Sequence, residues 1–527
     1  MSGAVSNPVL PGFHPDPTVC RVGDDYWLVT STFEYFPGLP VHHSTDLARW
    51  EHVGHAIDRR SQLDMEGVRP SGGLYAPTLR HHDGTFWMTC TLVDGHRGAG
   101  NFVMSAAHPA GPWSDVTWLE DAEGIDPSLF FDDDGSAWYL GARPTHDPHP
   151  EDPQTTDIWL RRFDVRTRQL VGPEHVLWHG ALHAAVWAEG PHLYKVDGRY
   201  LLVIAEGGTD VHHAVTVARA DHVTGPYAGN RANPVLTHRH LGRDHPVSSV
   251  GHAELVEGPD GAWWAFALGT RPVDGHHLLG RETFVVPARW EDGWPVLAPG
   301  VGQVTPLVEH PAVPDGEVVR PAADEPFTEM FADPATGGLS PRWNRLRTGD
   351  DPADTTSRPG ALRLALRPAT LDEPTTPAFL GLRQQHHRAR FTATVEAPGL
   401  AAHERAGLAV RQKDTHHAVL ALRDGGDARV VELVLTQGDE RTTVGTLPLP
   451  GDGPVDLRVT ADRLTYTAEA REPDGAWTTV GTVDGRALST QTAGGFTGVH
   501  LGVYATSDGH TTTAVADVVH VTYEPLG

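Results

Sequence analysis

The sequence contains few cysteines and no long apolar run. Cys20 and Cys90 are the only cysteines among 527 residues, which leaves room for one disulfide but excludes a disulfide framework. No stretch is long and apolar enough to span a bilayer, which argues against a membrane partner. The N-terminus has neither a basic start nor an apolar segment of signal-peptide length, so we expect a soluble, cytoplasmic protein.

Positive charge is also scarce. The chain has 41 Lys and Arg residues against 68 Asp and Glu residues, which gives a formal net charge of −27. Phosphate backbones and anionic lipid repel such a chain, so we expect no nucleic-acid partner. A small neutral ligand fits this charge, and a homo-oligomeric state is left open.

Segments of helical period are absent, and the first three hundred residues instead repeat one pattern five times. Each repeat reads as a short strand, a turn with Asp or Gly, and an aromatic-rich strand, and pairs such as Asp83-Gly84 and Asp197-Gly198 predict hairpins. The repeats start at Asp16, Ala76, Asp126, Gly190 and His252. Units of this length built from hairpins predict a five-bladed β-propeller, and a β-sandwich with chance similarity is the alternative.

The remainder of the chain has a different pattern. A stretch rich in proline and acidic residues over 309–325 predicts a linker. Segments such as RFTATVEA and HAVLALR then alternate apolar and polar residues with period two, which predicts a β-sandwich. We therefore expect an all-β protein with a propeller over 1–308 and a C-terminal β-sandwich over 326–527.

The repeat predicts a cluster of carboxylates. Equivalent positions of propeller blades meet around the central axis, which would bring together Asp16, Asp126, His252 and Glu189, the residue before Gly190. The prolines on both sides of Asp16 are expected to hold it extended. Clustered carboxylates bind a metal ion or perform acid–base chemistry, as in glycosidases that use an acid and a base, and acids that only cap strand ends are the alternative.

Several stretches in this order resemble glycoside hydrolase family 43, and within it the β-xylosidase and α-L-arabinofuranosidase branch. They are NPVLPGFHPDPTVCRVGDDYWLVTSTFEYFPG, GGLYAPTLR, GIDPSLFFDDDG, EGPHLYKVDG, AEGGT, GHAELVE and LGRETF. The resemblance covers the propeller, and FTGVHLGVYAT (496–506) resembles the end of the β-sandwich found in this branch. It implies that Asp16 is the general base, Asp126 raises the pKa of the acid and orients it, and Glu189 is the general acid.

The resemblance also implies less specific roles. Arg281 would contact the terminal sugar, Phe33 and Tyr75 would form walls of the pocket, and Phe496 would reach the pocket from the sandwich. His252 would hold a calcium ion or a water at the axis, and no cofactor is otherwise required. Each residue has a plainer alternative: a strand-end ion pair for the arginine, packing for the aromatic residues, and a buried, hydrogen-bonded imidazole for His252.

The function implied is an exo-acting, inverting glycosidase that releases terminal α-L-arabinofuranosyl or β-D-xylosyl residues from a short oligosaccharide. Tyr75 stands where similar xylosidases often carry tryptophan, so the preference between the two sugars is open. An endo-acting arabinanase and a carbohydrate-binding propeller without catalysis are the alternatives.

One segment lies outside the resemblance. The stretch HRHLGRDHPVSS brings together His238, His240 and His245, which predicts either a metal site or a flexible polar loop. We favour the loop.

Overall fold

The computed structural model describes residues 2–146, 148, 154–182, 186–331, 339–348 and 351–527. Within these ranges the protein is built from strands, and the helical segments are the short stretches Ala322–Asp324, Gly485–Leu488 and Thr490–Ala493. The all-β prediction is confirmed. No helix among the described residues has the length and apolar character needed to cross a membrane.

Five antiparallel sheets follow the five repeats in order, and we number them sheets 1 to 5. Sheet 1 contains Thr18–Val22, Asp25–Val29, Gly38–Ser44 and Glu51–Ile57, and sheet 2 contains Thr78–His82, Thr85–Val93, Gly100–Ala106 and Thr117–Leu119, with Gly73–Leu74 added beside Thr85–Val93. Sheet 3 contains Ile125–Phe131, Ala137–Pro144, Thr156–Asp164 and Gln169–Trp178. Sheet 4 contains Glu189–Val196, Arg199–Glu206 and Ala214–Ala220, with Ala228–Gly229 and Leu236–Thr237 on its outer side, and sheet 5 contains Ser248–Glu257, Trp263–Thr270, Glu282–Glu291 and Trp294–Leu297.

The first strands of successive sheets contact one another, and the first strand of sheet 5 contacts that of sheet 1. Two of the predicted hairpin turns connect strands directly. Asp83-Gly84 and Asp197-Gly198 each link two strands with positive φ at both residues, 47° and 71° in the first turn and 50° and 75° in the second. This conformation is the two-residue turn that Asp-Gly favours.

The two ends of this part of the chain meet in a small sheet. Ala4–Ser6 pairs antiparallel with Leu307–Glu309 and parallel with Val318–Val319. The stretch 309–325, expected as a linker, therefore carries a strand and a short helical turn that lie against the first residues of the chain.

The C-terminal unit consists of two antiparallel sheets around one apolar core. One sheet contains Ala353–Asp354, Leu362–Ala365, Val515–Pro525, Arg388–Glu396, Val455–Asp462, Thr465–Arg471 and Thr478–Asp484, with Phe327–Glu329 beside Val515–Pro525. The other contains Ala378–Arg383, His500–Thr506, Arg405–Lys413, His416–Asp424, Arg429–Gln437 and Glu440–Leu449. Their inner faces supply one cluster of buried residues, as the period-two pattern predicts.

The C-terminal unit packs against connecting segments of the first unit. Tyr35–Phe36 pairs with Arg345–Leu346, and a buried aromatic cluster contains Phe13 and Phe33 from the first unit and Phe379 and Tyr504 from the second. The segment that carries Asp16 therefore lies beside this interface. Cys20 and Cys90 are buried with free thiols, so no disulfide links them.

Candidate active site

Four of the five repeats place their first residue in one backbone conformation, and Ala76 in the second repeat is the exception. Asp16, Asp126, Gly190 and His252 have φ of 54°, 55°, 57° and 44°. The prediction that prolines hold Asp16 extended is therefore wrong, because its φ lies in the left-handed region. Side chains other than glycine adopt this region only at a cost, which the polar contacts of these residues offset.

Asp16 is buried and surrounded by donors. Its Oδ1 accepts a hydrogen bond from Arg281 Nη1 at 3.0 Å and lies 3.3 Å from His252 Nδ1, and its Oδ2 accepts from the hydroxyl of Ser31. Burial alone would raise the pKa of Asp16, but Arg281 and His252 together lower it well below the ordinary value. Asp16 is therefore ionised at neutral pH.

The pKa values of the other two carboxyls, Asp126 and Glu189, are raised rather than lowered. Glu189 opens the first strand of sheet 4, and the N–H of its neighbour Gly190 donates to Asp126 Oδ2 at 3.0 Å. Burial raises the pKa of Asp126 to about 6, and the charge of Asp16 adds to this rise against the opposing charge of His252. Burial and the negative charge of Asp126 raise the pKa of Glu189 to about 8. At neutral pH Asp126 is thus mostly ionised and Glu189 is mostly protonated.

His252 is the cation of this cluster. Burial lowers its pKa, but its contact with Asp16 and the charges of Asp126 and Glu189 outweigh burial and raise the pKa to about 8. Its Nε2 lies against Gly190, where an added Cβ would stand 2.7 Å away. A glycine at 190 is therefore needed for the positive φ and for the approach of the imidazole.

These contacts do not suit His252 as a ligand of calcium. A protonated imidazole has no free lone pair, and calcium prefers several oxygen ligands. The described residues also contain no group of three or more His, Cys, Asp and Glu side chains arranged to hold a metal ion. We derive no catalytic step through a metal.

Three aromatic rings and Arg281 form a wall beside the carboxyls. The ring of Phe33 lies 4.8 Å from Tyr75 and 5.8 Å from Phe496, measured between centroids. The guanidinium carbon of Arg281 lies 5.3 Å from the Phe33 ring and 5.7 Å from the Phe496 ring. Nε and Nη2 of Arg281 are buried and have no hydrogen-bond partner among the described residues. The arginine therefore has unused donors beside the carboxyls.

Phe496 comes from the C-terminal unit, between the helix Thr490–Ala493 and the strand His500–Thr506. Its backbone N–H donates to the hydroxyl of Ser71 at 2.9 Å, and its side chain is 39% exposed. The alternative that Phe496 is a core residue does not fit this exposure. The structure thus brings all eight predicted residues together in one cluster.

Sequence reasoning missed residues that hold this site in place. Ser31 binds Asp16, and Thr209 Oγ1 accepts from Arg281 Nη1 at 3.2 Å. Ser71, which anchors Phe496, belongs to none of the quoted motifs, and its N–H donates to the buried Glu34. Ser31 and Thr209 lie inside the motif stretches STFEYFPG and AEGGT. Their position in these motifs was the sequence signal by which they could have been identified.

The histidines of the segment 238–245 have a structural role. His238 is buried, its Nδ1 bonds to the carbonyl of Val247 at 2.8 Å, and its Nε2 accepts from the N–H of Val304 at 2.9 Å. His245 bonds to the same carbonyl, whereas His240 is exposed. Both nitrogens of His238 are thus used in fixing the loop, which leaves none for a metal.

The chain was compared with known families, proteins and structures. Residues 5–295 match the family model of Glycosyl hydrolases family 43, and residues 331–524 match the Beta xylosidase C-terminal Concanavalin A-like domain. A xylosidase/arabinosidase of Butyrivibrio fibrisolvens is 38% identical over 525 residues, with 99% of each chain covered. A non-reducing end alpha-L-arabinofuranosidase of Bacteroides ovatus is 38% identical over 519 residues, covering 97% of this chain and 93% of the relative.

Two solved structures resemble this chain over nearly its whole length. A GH43B protein from a xyloglucan locus of Bacteroides ovatus superposes with a TM-score of 0.90 at 36% identity, covering 99% of this chain and all of the other. A xylan beta-1,4-xylosidase of Bacillus halodurans superposes with a TM-score of 0.90 at 34% identity over the same shares. The resemblance noted in the motifs is confirmed: this chain belongs to glycosyl hydrolases family 43 and is a glycosidase.

Proposed function

We propose that the protein is an exo-acting, inverting glycosidase that releases terminal α-L-arabinofuranosyl and β-D-xylosyl residues from short oligosaccharides. The observation that carries this proposal is the opposite protonation of Asp16 and Glu189 around one pocket. Carboxyls whose pKa values are driven apart by their surroundings are the mark of an acid and a base with separate tasks. The names of the relatives support both sugars.

In the proposed reaction, Glu189 donates its proton to the glycosidic oxygen as the bond from that oxygen to the anomeric carbon breaks. Asp16 accepts a proton from a water molecule whose oxygen attacks the anomeric carbon from the opposite face. The products are the free pentose with inverted configuration and the shortened oligosaccharide. Asp126 keeps Glu189 protonated and, by accepting from the N–H of Gly190, fixes the backbone beside the acid.

The pocket wall supports exo action. Phe496 closes one side of the pocket from the C-terminal unit, against Phe33 and Tyr75. A polymer that ran through the pocket would have to pass this wall, whereas a chain end fits against it. The unused donors of Arg281 suit the hydroxyls of a terminal sugar.

We propose further that sheets 1 to 5 are the blades of a five-bladed β-propeller over 1–308, followed by a linker over 309–325 and a β-sandwich over 326–527. The contacts between successive first strands, and between those of sheets 5 and 1, support this arrangement. Cytoplasmic location and oligomeric state stay predictions.

The test is hydrolysis of 4-nitrophenyl α-L-arabinofuranoside and β-D-xyloside, with NMR detection of the first anomer released. We expect turnover of at least one substrate with inversion, and a loss of about 100-fold or more in Asp16→Ala. Glu189→Ala should lose more activity on an oligosaccharide than on the 4-nitrophenyl glycosides, since nitrophenolate leaves without a proton. Asp58→Asn, at an exposed carboxylate, is the control.

Retention of configuration, or equal losses of Glu189→Ala on both leaving groups, would contradict the mechanism. Release of long fragments from arabinan would indicate the endo-acting alternative. If the wild type turns over neither pentoside, either the sugar is wrong or the propeller binds without cutting, and a broad glycan screen separates the two.

A further inference from the structure

A second cavity lies between sheet 1 and the C-terminal unit. It has a volume of about 870 Å³. Its inner lining includes Arg383 from the strand Ala378–Arg383 and three histidines, His14, His42 and His52. None of these residues takes part in the proposed reaction.

Arg383 is a buried cation that has no counterion in the part of the chain that the structure describes. Its side chain is 6% exposed, its Nε donates to the carbonyl of Phe13 at 2.8 Å, and its Nη2 has no hydrogen-bond partner among the described residues. Burial lowers the pKa of Arg383 to about 10, and no carboxylate in the described ranges opposes this shift. Removing an unpaired charge from water is costly, so a buried guanidinium normally has an anionic partner.

The three histidines beside Arg383 do not neutralise its charge. The ring of His42 lies 5.3 Å from that of His14 and 4.9 Å from that of His52, measured between centroids. His42 is buried, and its Nδ1 has no partner among the described residues. Burial lowers the pKa of all three rings, with Arg383 as a further cause, so they are neutral and each has one N–H. His52 uses its N–H on the carbonyl of Gly54 at 3.0 Å, and His42 bonds to the backbone of Leu28, so Arg383 is the main donor available to an anion.

Charges of both signs line the outer part of the cavity. Arg342 is half-buried with its guanidinium over Phe327, and burial lowers its pKa. The glutamates that line the cavity, Glu51, Glu317 and Glu325, are exposed. The acidic side chains thus remain in water, and the interior holds cations and neutral imidazoles.

We propose that this cavity is a binding site for a small tetrahedral oxyanion, namely phosphate or the phosphate group of a small ester, with Arg383 as its principal ligand. The planar guanidinium offers paired donors that match phosphate oxygens. The volume accommodates an organic group beside the phosphate.

The site is separate from the active site but shares a segment with it. Phe13, whose carbonyl binds Arg383, and His14, which lines the cavity, stand just before Asp16 in the chain. The N–H of His14 donates to the carbonyl of Arg281 at 2.9 Å. The binding test must therefore distinguish this cavity from Arg281 in the active site.

The experiment is isothermal titration calorimetry of the full chain with inorganic phosphate, and then with glycerol phosphate, at constant ionic strength set with chloride. We expect saturable binding in the wild type and a loss of about tenfold or more in affinity in Arg383→Met. Arg281→Gln should bind phosphate as the wild type does, which separates the cavity from the active site. Arg388→Gln, at an exposed arginine, is the control for net charge.

A wild type that shows no saturable heat with either probe would overturn the proposal, and so would a loss of binding in Arg281→Gln with none in Arg383→Met. If Arg383→Met does not fold, Arg383→Lys, which keeps the charge but not the paired donors, should weaken binding. Crystals of the wild type soaked in tungstate then give the position directly: anomalous density beside Arg383 supports the site, and density only elsewhere refutes it. Tighter binding of glycerol phosphate than of phosphate would identify an ester as the ligand.

Discussion

Replacing Asp126 by asparagine should move the basic limb of the pH–rate profile to lower pH. Glu189 must be protonated to act, so activity falls as the pH rises through its pKa, which burial and Asp126 raise to about 8. The side-chain amide in Asp126→Asn would keep an oxygen to accept from the N–H of Gly190, and asparagine tolerates the positive φ at this position. The substitution therefore removes the charge and little else.

The expected change in the pKa of Glu189, and hence in the basic limb of the pH–rate profile, follows from Coulomb's law. Two carboxylates about 5–6 Å apart at an effective dielectric of about 20 repel each other by about 3 kcal/mol, which corresponds to about two pH units. Burial of Glu189 is the larger cause of its raised pKa and persists in the variant, so the shift is expected to be at most of this size. A full shift would lower kcat/KM at pH 7 by about tenfold, since the protonated fraction of Glu189 would fall from about 0.9 to about 0.1.

The assay is kcat/KM against pH for an arabino- or xylo-oligosaccharide and for the matching 4-nitrophenyl glycoside. The second substrate is needed because the pKa of His252 is also raised to about 8. A limb that comes from Glu189 should flatten with the nitrophenolate leaving group, whereas a limb that comes from His252 should persist. An unchanged basic limb in Asp126→Asn with the oligosaccharide would refute the role of Asp126.

Two further predictions concern the shape of the site. Phe496→Ala should raise KM for arabinosides and lower kcat/KM on the order of tenfold, while the free energy of unfolding changes by less than about 1 kcal/mol. Val171→Ala, at the same 39% exposure, should change neither KM nor kcat/KM. An unaltered KM in Phe496→Ala would show that Phe496 does not contact the substrate. Gly190→Ala should lose most activity, because its Cβ would displace His252, whereas Gly198→Ala has a similar positive φ but open space around it. Backbone strain should destabilise both glycine variants by about 1 kcal/mol in urea unfolding, and the clash with His252 should add to this in Gly190→Ala. Equal kcat/KM in the two variants would contradict the clash.

Much of the site could be predicted from the sequence because the fold is a repeat. The five segments share one pattern, so Asp16, Asp126 and His252 could be aligned before any coordinates were available, and the shared positive φ follows the same alignment. Hairpin turns such as Asp83-Gly84 were predicted for the same reason, since turn chemistry is local. The motifs that resemble glycoside hydrolase family 43 then assigned a different catalytic role to each of the three acids.

Local reasoning failed where a residue's conformation depends on distant partners. The prolines around Asp16 favour an extended backbone, but hydrogen bonds from Ser31 and Arg281 hold the carboxylate in a left-handed turn. The histidines of 238–245 resemble metal ligands in sequence, whereas the carbonyl of Val247 and the N–H of Val304 occupy both nitrogens of His238.

The sequence by itself determined the all-β class, the five repeats and the identity of the acids, because hydrophobic period, turn residues and repeat spacing are written along the chain. Only the tertiary structure decided that Asp16 lies against Arg281 and His252, that Ser71 anchors Phe496, and that Arg383 is buried with no carboxylate beside it in the described ranges. Those properties depend on burial and on charges brought together from segments hundreds of residues apart, and neither is defined until the chain has folded.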